Sequence, residues 1–305
     1  MIEGILIEGF AYGIMVLGVF ISFRILNFAD LTVDGSFPLG SAIMVVALLN
    51  GVPTPFAFFL AFAGGCGAGL ITALIHTRLK VPDLLSGILT MTMLYSINLR
   101  IMGNRANISL LRFDTIFTSL RAGYGMWGVV FFCFLIAVFI KIILDLFFHT
   151  DYGLTMGALG ANPQLVISQG MNPDVLKISG IALSNGLTAI GGALTALYQG
   201  FSDVGLGTGI IVLGLASLML GELIIRSNRI ELITLRVLLG SILYRALMYF
   251  ARIYGYRINM TPNDFKLITG LLIIICIILS KTGGLSRKRR EHPRVFPKPK
   301  PGGQR

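Results

Sequence analysis

Long apolar segments recur along this chain, most of them near the length of a bilayer crossing and separated by short polar connections. A transmembrane helix takes about 20 largely apolar residues, and there are eight or nine runs of that kind. They are expected near Gly4–Ile21, Pro38–Asn50, Pro53–Ile75, from Pro82 and Asp83 onward, Trp127–Phe148, Leu176–Tyr198, Gly205–Ile225, Leu232–Ala251 and Asp264–Ser280. The second is short for a full span, and Gly35, Pro38 and Gly40 argue against a continuous helix there, so it reads as part of a broken helix. Such breaks are tolerated at membrane depth only where protein or a watery cavity satisfies the freed backbone. The fold class predicted is an all-α polytopic membrane protein that includes broken helices. Its transmembrane domain is placed at residues 1–280 and a basic, disordered tail at 281–305.

Two polar interruptions stand out. Residues 27–41, NFADLTVDGSFPLGS, place Asp30, Thr32, Asp34 and Ser36 between apolar segments. A carboxylate at mid-bilayer costs about 2.5–3.5 kcal/mol on insertion scales. These groups therefore either cap the end of the first span or line a solute pathway. Residues 150–172, TDYGLTMGALGANPQLVISQGMN, read as a helical connection outside the bilayer. Asn162 suits an N-cap, Pro163 the first helical position and Gly170 the left-handed stop. Between them Gln164, Leu165, Val166, Ile167 and Ser168 make about two turns. Apolar side chains on so short a helix need cover from the parent bundle or from a partner's groove.

The hydrophobic fraction is 55% and the charged fraction only 13%, which excludes an ordinary soluble domain. A net charge of +11 would suit nucleic acid, but nine of the 25 Lys and Arg lie in residues 281–305, so the excess belongs to the tail and to a membrane surface. Placing that tail in the cytoplasm gives nine crossings and an extracytoplasmic N-terminus; Arg78, Lys80, Arg226 and Arg229 then obey the positive-inside tendency, while Arg100, Arg105, Arg112 and Arg121 do not. Cys66, Cys133 and Cys276 sit inside apolar runs without metal-ligand spacing. There is no phosphate-binding glycine loop, no zinc-protease motif and no nucleophile elbow. Asn98, Asn185 and Arg245 are polar groups within spans, suited to interhelical hydrogen bonds, a carboxylate partner or a pathway. Glu222 is expected to pair with Arg226 four residues on. Pro82-Asp83 and Pro262-Asn263-Asp264 open the fourth and ninth spans; an inverted repeat or the shared composition of membrane helices accounts for this equally.

The positions Thr150, Gly153, Ala158, Gly160, Asn162 and Gly170 fall ungapped on a known pattern. With residues 27–41 and the run from Gly191 to Gly209, they resemble the permease subunits of ribose and branched-chain amino-acid ABC importers. The phrases SFRILNFADLTVDGSFPLG and LLGSILYRALMY are most similar to a subgroup associated with tryptophan and other aromatic amino acids. Thr155, Met156 and Gly157 depart from the family, which often has a basic residue there, and some relatives carry an extra N-terminal helix.

The resemblance implies a bacterial inner-membrane importer working by alternating access. Residues 150–172 would be the cytoplasmic coupling helix that docks into a separate ATPase, which binds ATP and Mg. A second permease subunit, a homodimer being favoured, and an extracytoplasmic solute-binding lipoprotein are the other partners implied. This chain would hold no cofactor, catalyse nothing and bind no nucleic acid. The rival reading is an ion-coupled secondary transporter or channel using Asp30, Asp34 or Glu222; an intramembrane enzyme is disfavoured by the lack of a catalytic constellation.

Overall fold

A computed structural model of the chain describes residues 2–111, 113–225, 229–256, 267–275 and 278. Among the described residues the fold is helical apart from one short pair of strands. Helices α1 (Ile2–Val19), α2 (Val33–Leu49), α3 (Thr54–Leu79), α4 (Asp83–Ile101) and α5 (Ile116–His149) precede two short helices, α6 (Asp151–Ala161) and α7 (Pro163–Ser168); α8 (Pro173–Gln199), α9 (Ile210–Ile224) and α10 (Ile230–Tyr256) follow. Among the described residues six helical segments are long and apolar enough to cross a membrane, and α2 is a shorter apolar helix. Residues 267–275 are helical and fall within the expected last span. The tail after residue 280, Arg226, Cys276 and the Pro262-Asn263-Asp264 half of the repeat lie outside the described residues.

Helix α8 is the centre of the bundle, buried against α1, α2 and α3 along most of its length. Small residues permit that contact. A Cβ on Gly65 or Gly69 of α3 would run into the carbonyl oxygens of Asn185 or Ile181, and one on Gly192 would strike the Phe37 carbonyl. Backbones packed this closely replace the hydrophobic driving force that lipid cannot supply between helices.

The expected break lies one turn earlier than the glycines suggested. Helix α1 ends in a π-helical turn, Phe20–Ile25, the chain leaves helical geometry over residues 26–32, and Asn27 takes a left-handed φ of 51°. Helix α2 then runs unbroken through Gly35, Pro38 and Gly40, correcting the expected interruption there. A proline removes one helical hydrogen bond, here the one to the Asp34 carbonyl. Gly207 packs against that same oxygen, where a side chain would collide with it. The break itself satisfies its backbone: Leu26 N–H donates to Ile21 O at 3.0 Å, Phe28 N–H to Ser22 O at 2.9 Å and Ala29 N–H to Asp83 Oδ2 at 3.1 Å.

Contacts sort the helix ends onto two sides. Ile25 meets Gly160, Leu31 meets Gly87, His76 meets Lys177 and Arg24 meets Glu222, which puts the 150–172 segment on the side of the 26–32 break. At the opposite end a short strand β1 (Asn107–Ser109) pairs antiparallel with β2 (Phe201–Asp203), joining the connections after α4 and α8. The 100–125 connection is therefore shorter than expected, since α5 starts at Ile116, eleven residues before the predicted span, with a break at Gly125 (φ 67°). The seventh span, Val204–Ile224, lies within a residue of its expected bounds and opens in a 3-10 turn before its α-helical part. Residues 201–209 descend beside α2 as β2 and a 3-10 turn, Val204–Gly207, before α9 begins at Ile210.

Candidate functional site

The 150–172 segment folds as two capped helices. Thr150 Oγ1 accepts from Gly153 N–H at 3.2 Å to start α6, and Asn162 Oδ1 accepts from Gln164 N–H at 3.1 Å to start α7, with Pro163 in the first turn. Gly170 ends α7 at φ 76°, its N–H donating to Ile167 O at 2.9 Å while Met171 N–H donates to Val166 O at 3.2 Å. The faces of α7 are unlike. Val166 is fully buried, whereas every other residue from 161 to 170 is exposed, including Leu165 at 46% and Ile167 at 51%.

Helix α6 seats this pair on the bundle. Met156 and Leu159 are buried, Tyr152 OH meets Ser179 Oγ at 2.6 Å, and Gly160 lies so close to the Ile25 carbonyl that no side chain fits between. Helix α6 therefore rests on the π-helical turn that precedes the 26–32 break, and α7 follows α6 directly along the chain.

The polar residues of the second interruption come together with those of α8. Asp30, fully buried, accepts from Thr32 N–H at 2.9 Å through Oδ1 and from Asn185 Nδ2 at 2.6 Å through Oδ2; Asn185 Oδ1 accepts from Ser36 Oγ at 2.7 Å. Thr32 Oγ1 is 2.7 Å from Thr72 Oγ1 on α3. Buried polar groups require such partners, and this network ties the break to α3 and α8.

Asp34 has a separate role. Its carboxylate accepts from Gly209 N–H at 3.1 Å and Ile211 N–H at 2.8 Å, capping α9 from another helix. Free N–H groups at a helix start favour a carboxylate there. Asn98 Nδ2 donates to Gly35 O at 3.2 Å, and its buried Oδ1 has no protein partner. Asp34, Asn98, Tyr95 and Thr208 line a cavity of about 80 Å3, and Thr208 also borders a larger apolar one of about 490 Å3 between α9, α10 and Thr269. Tyr95 was missed by sequence reasoning because an aromatic residue on an apolar helix carries no signal of its own.

Arg245 stands apart from this cluster. Its Nη1 donates to Glu8 Oε2 at 3.1 Å, and its guanidinium lies 3.4 Å over the Tyr12 ring. Glu222 pairs with Arg24 at 2.9 Å and Arg236 at 3.5 Å, which the packing of α9 on α1 and α10 brings to it; the expected partner Arg226 lies outside the described residues. Among the described residues no group of three His, Cys, Asp or Glu could hold a metal ion. Cys66 and Cys133 are free.

A multi-pass bundle with a capped, half-apolar helix at one end is the frame on which the comparisons bear. Residues 1–277 match the family described as the permease component of branched-chain amino acid transport systems. The chain belongs to that family. As a family member it is similar to a tyrosine transport system permease protein of Clostridioides difficile (strain R20291), 38% identical over 299 residues, 97% of this chain and 96% of the relative. An uncharacterized protein of Rickettsia prowazekii (strain Madrid E) is 32% identical over 268 residues, 86% of this chain and 91% of that one. No solved structure gives a significant match. The chain is a permease component of a transport system, a multi-pass membrane protein rather than an enzyme.

Proposed function

We propose that this permease forms the solute pathway of an ATP-driven importer of aromatic amino acids in a bacterial inner membrane. Two copies assemble, two separate ATPases carrying ATP and Mg dock on their α6–α7 faces, and an extracytoplasmic lipoprotein delivers the solute. The 150–172 side is then cytoplasmic and the N-terminus extracytoplasmic. The observation that carries this reading is α7: its caps hold a two-turn helix whose Leu165 and Ile167 face outward while Val166 anchors it. A groove on a partner is the fit for such a face. The tyrosine system named for the C. difficile relative supports an aromatic solute.

Through the seat of Gly160 on Ile25, closure of the ATPases moves the π-helical turn, and the Asp30–Asn185 and Asp34–α9 bonds pass that motion to α8 and α9. The fully bonded Asp30 and the capping role of Asp34 leave neither carboxylate obviously available for ion coupling. The experiment is gentle detergent extraction of the tagged protein from its own host, with mass spectrometry of what co-purifies. An ATPase with a phosphate-binding loop is expected. Recovery of this chain alone, with uptake driven by an ion gradient after ATP depletion, would refute the importer reading.

A further inference from the structure

We infer that the end of the bundle opposite the docking helix carries a binding site for one free amino acid with an apolar or aromatic side chain, formed where α5 begins and α8 ends. The inference rests on the permease reading and deepens it. A cavity of about 230 Å3 lies there, and its lining includes Phe117, Thr118, Arg121, Met126, Tyr198 and Gln199. That volume is below the roughly 300–1,000 Å3 of common ligand pockets, which limits the cavity to one small molecule.

Three features of the lining match the three parts of an amino acid. Arg121 is exposed and makes no ion pair among the described residues, so its guanidinium is available for a carboxylate. Gln199 carries a buried Oε1 with no hydrogen-bond partner; a buried acceptor left alone is costly, and an ammonium group would satisfy it. Phe117 is buried and Met126 half-buried, which supplies an apolar wall for the side chain.

The frame of the cavity is fixed. Gly200 caps α8 in the left-handed region (φ 75°), and its carbonyl accepts from Leu110 N–H at 2.7 Å, pinning the chain beside Gln199. Thr115 and Thr118 close a reciprocal cap on α5, setting the turn that bears Arg121. The break at Gly125 lets that turn be set apart from the membrane-spanning part of the helix. Beyond Tyr198 a second cavity holds Glu8 and Arg245, whose charges already answer each other, so the vacant charge complementarity belongs to the Arg121 side. On the permease reading this end faces the delivering lipoprotein, and the site receives solute at hand-over.

The test is equilibrium binding of radiolabelled L-amino acids, L-tyrosine first and then a full panel, to the purified full-length chain without ATPase. Saturable binding is expected, competed by L-phenylalanine but neither by tyramine, which lacks the carboxylate, nor by 3-(4-hydroxyphenyl)propionate, which lacks the ammonium. R121Q should weaken it about tenfold or more, the loss of one hydrogen bond to a charged group. Q199L should relax the discrimination against the propionate. Absence of saturable binding across the panel, tyramine competing as well as L-tyrosine, or unchanged binding in R121Q would each overturn the site. ATPase co-purification is scored separately, so loss of this site with the ATPase retained refutes the pocket and leaves the importer standing.

Discussion

Placing a carboxylate at Ile167 separates the proposed docking role of α7 from its structural one. Fully burying an isoleucine or leucine contributes about 1.5–3 kcal/mol. Ile167 is 51% exposed and Leu165 46% exposed, so a partner groove can cover about half of each and gain about 1 kcal/mol per residue. Ile167→Ala should then weaken ATPase docking about fivefold. Ile167→Asp adds the desolvation of an unpaired carboxylate, several further kcal/mol, which takes the loss beyond about a hundredfold. The fold should not change, because the anchor of α7 is Val166 and the caps are untouched. The assay compares ATPase retention on affinity purification, thermal melting of the purified chain and ATP-driven uptake in vesicles. Loss of ATPase and uptake at an unchanged melting temperature is expected of Ile167→Asp. A variant that keeps both would refute docking through this face.

Three further substitutions probe the proposed transmission path and the buried polar pairs of the bundle. Gly160→Ala pushes a methyl into the Ile25 carbonyl, an overpacking that costs about 1–3 kcal/mol; ATP hydrolysis should persist with less uptake per ATP, measured together in proteoliposomes. Asn185→Leu removes one of the partners of Asp30, which keeps Thr32 N–H, and the amide that accepts from Ser36; it should destabilise by about 1–3 kcal/mol or more, read as a lowered melting temperature, with Asn185→Gln the milder variant. Arg245→Met leaves Glu8 without its partner, and adding Glu8→Gln should recover part of the lost stability; a double-mutant cycle with no coupling would mean that the pair contributes nothing.

The short helix α7 is legible because its signals are local: Asn162, Pro163 and Gly170 act within a few residues of themselves, and the geometry follows from backbone chemistry that any short helix obeys. The apolar runs were readable for the same reason, since a bilayer sets a length. Position within the break was not. Gly35, Pro38 and Gly40 look like helix breakers in isolation, yet α2 continues through them, with Gly207 packed against the Asp34 carbonyl that Pro38 frees. Asp34 and Asp30, alike in sequence, part company in space: one caps a helix 175 residues away and the other is held by Asn185, 155 residues away. Glu222 meets Arg24 and Arg236, distant along the chain, for the same cause. By itself the sequence determined the helical class, the bilayer crossings and a capped helix between them. Only the tertiary structure decided which polar groups meet, because a buried charge takes whatever partner packing brings within hydrogen-bond reach, and separation along the chain does not enter into it.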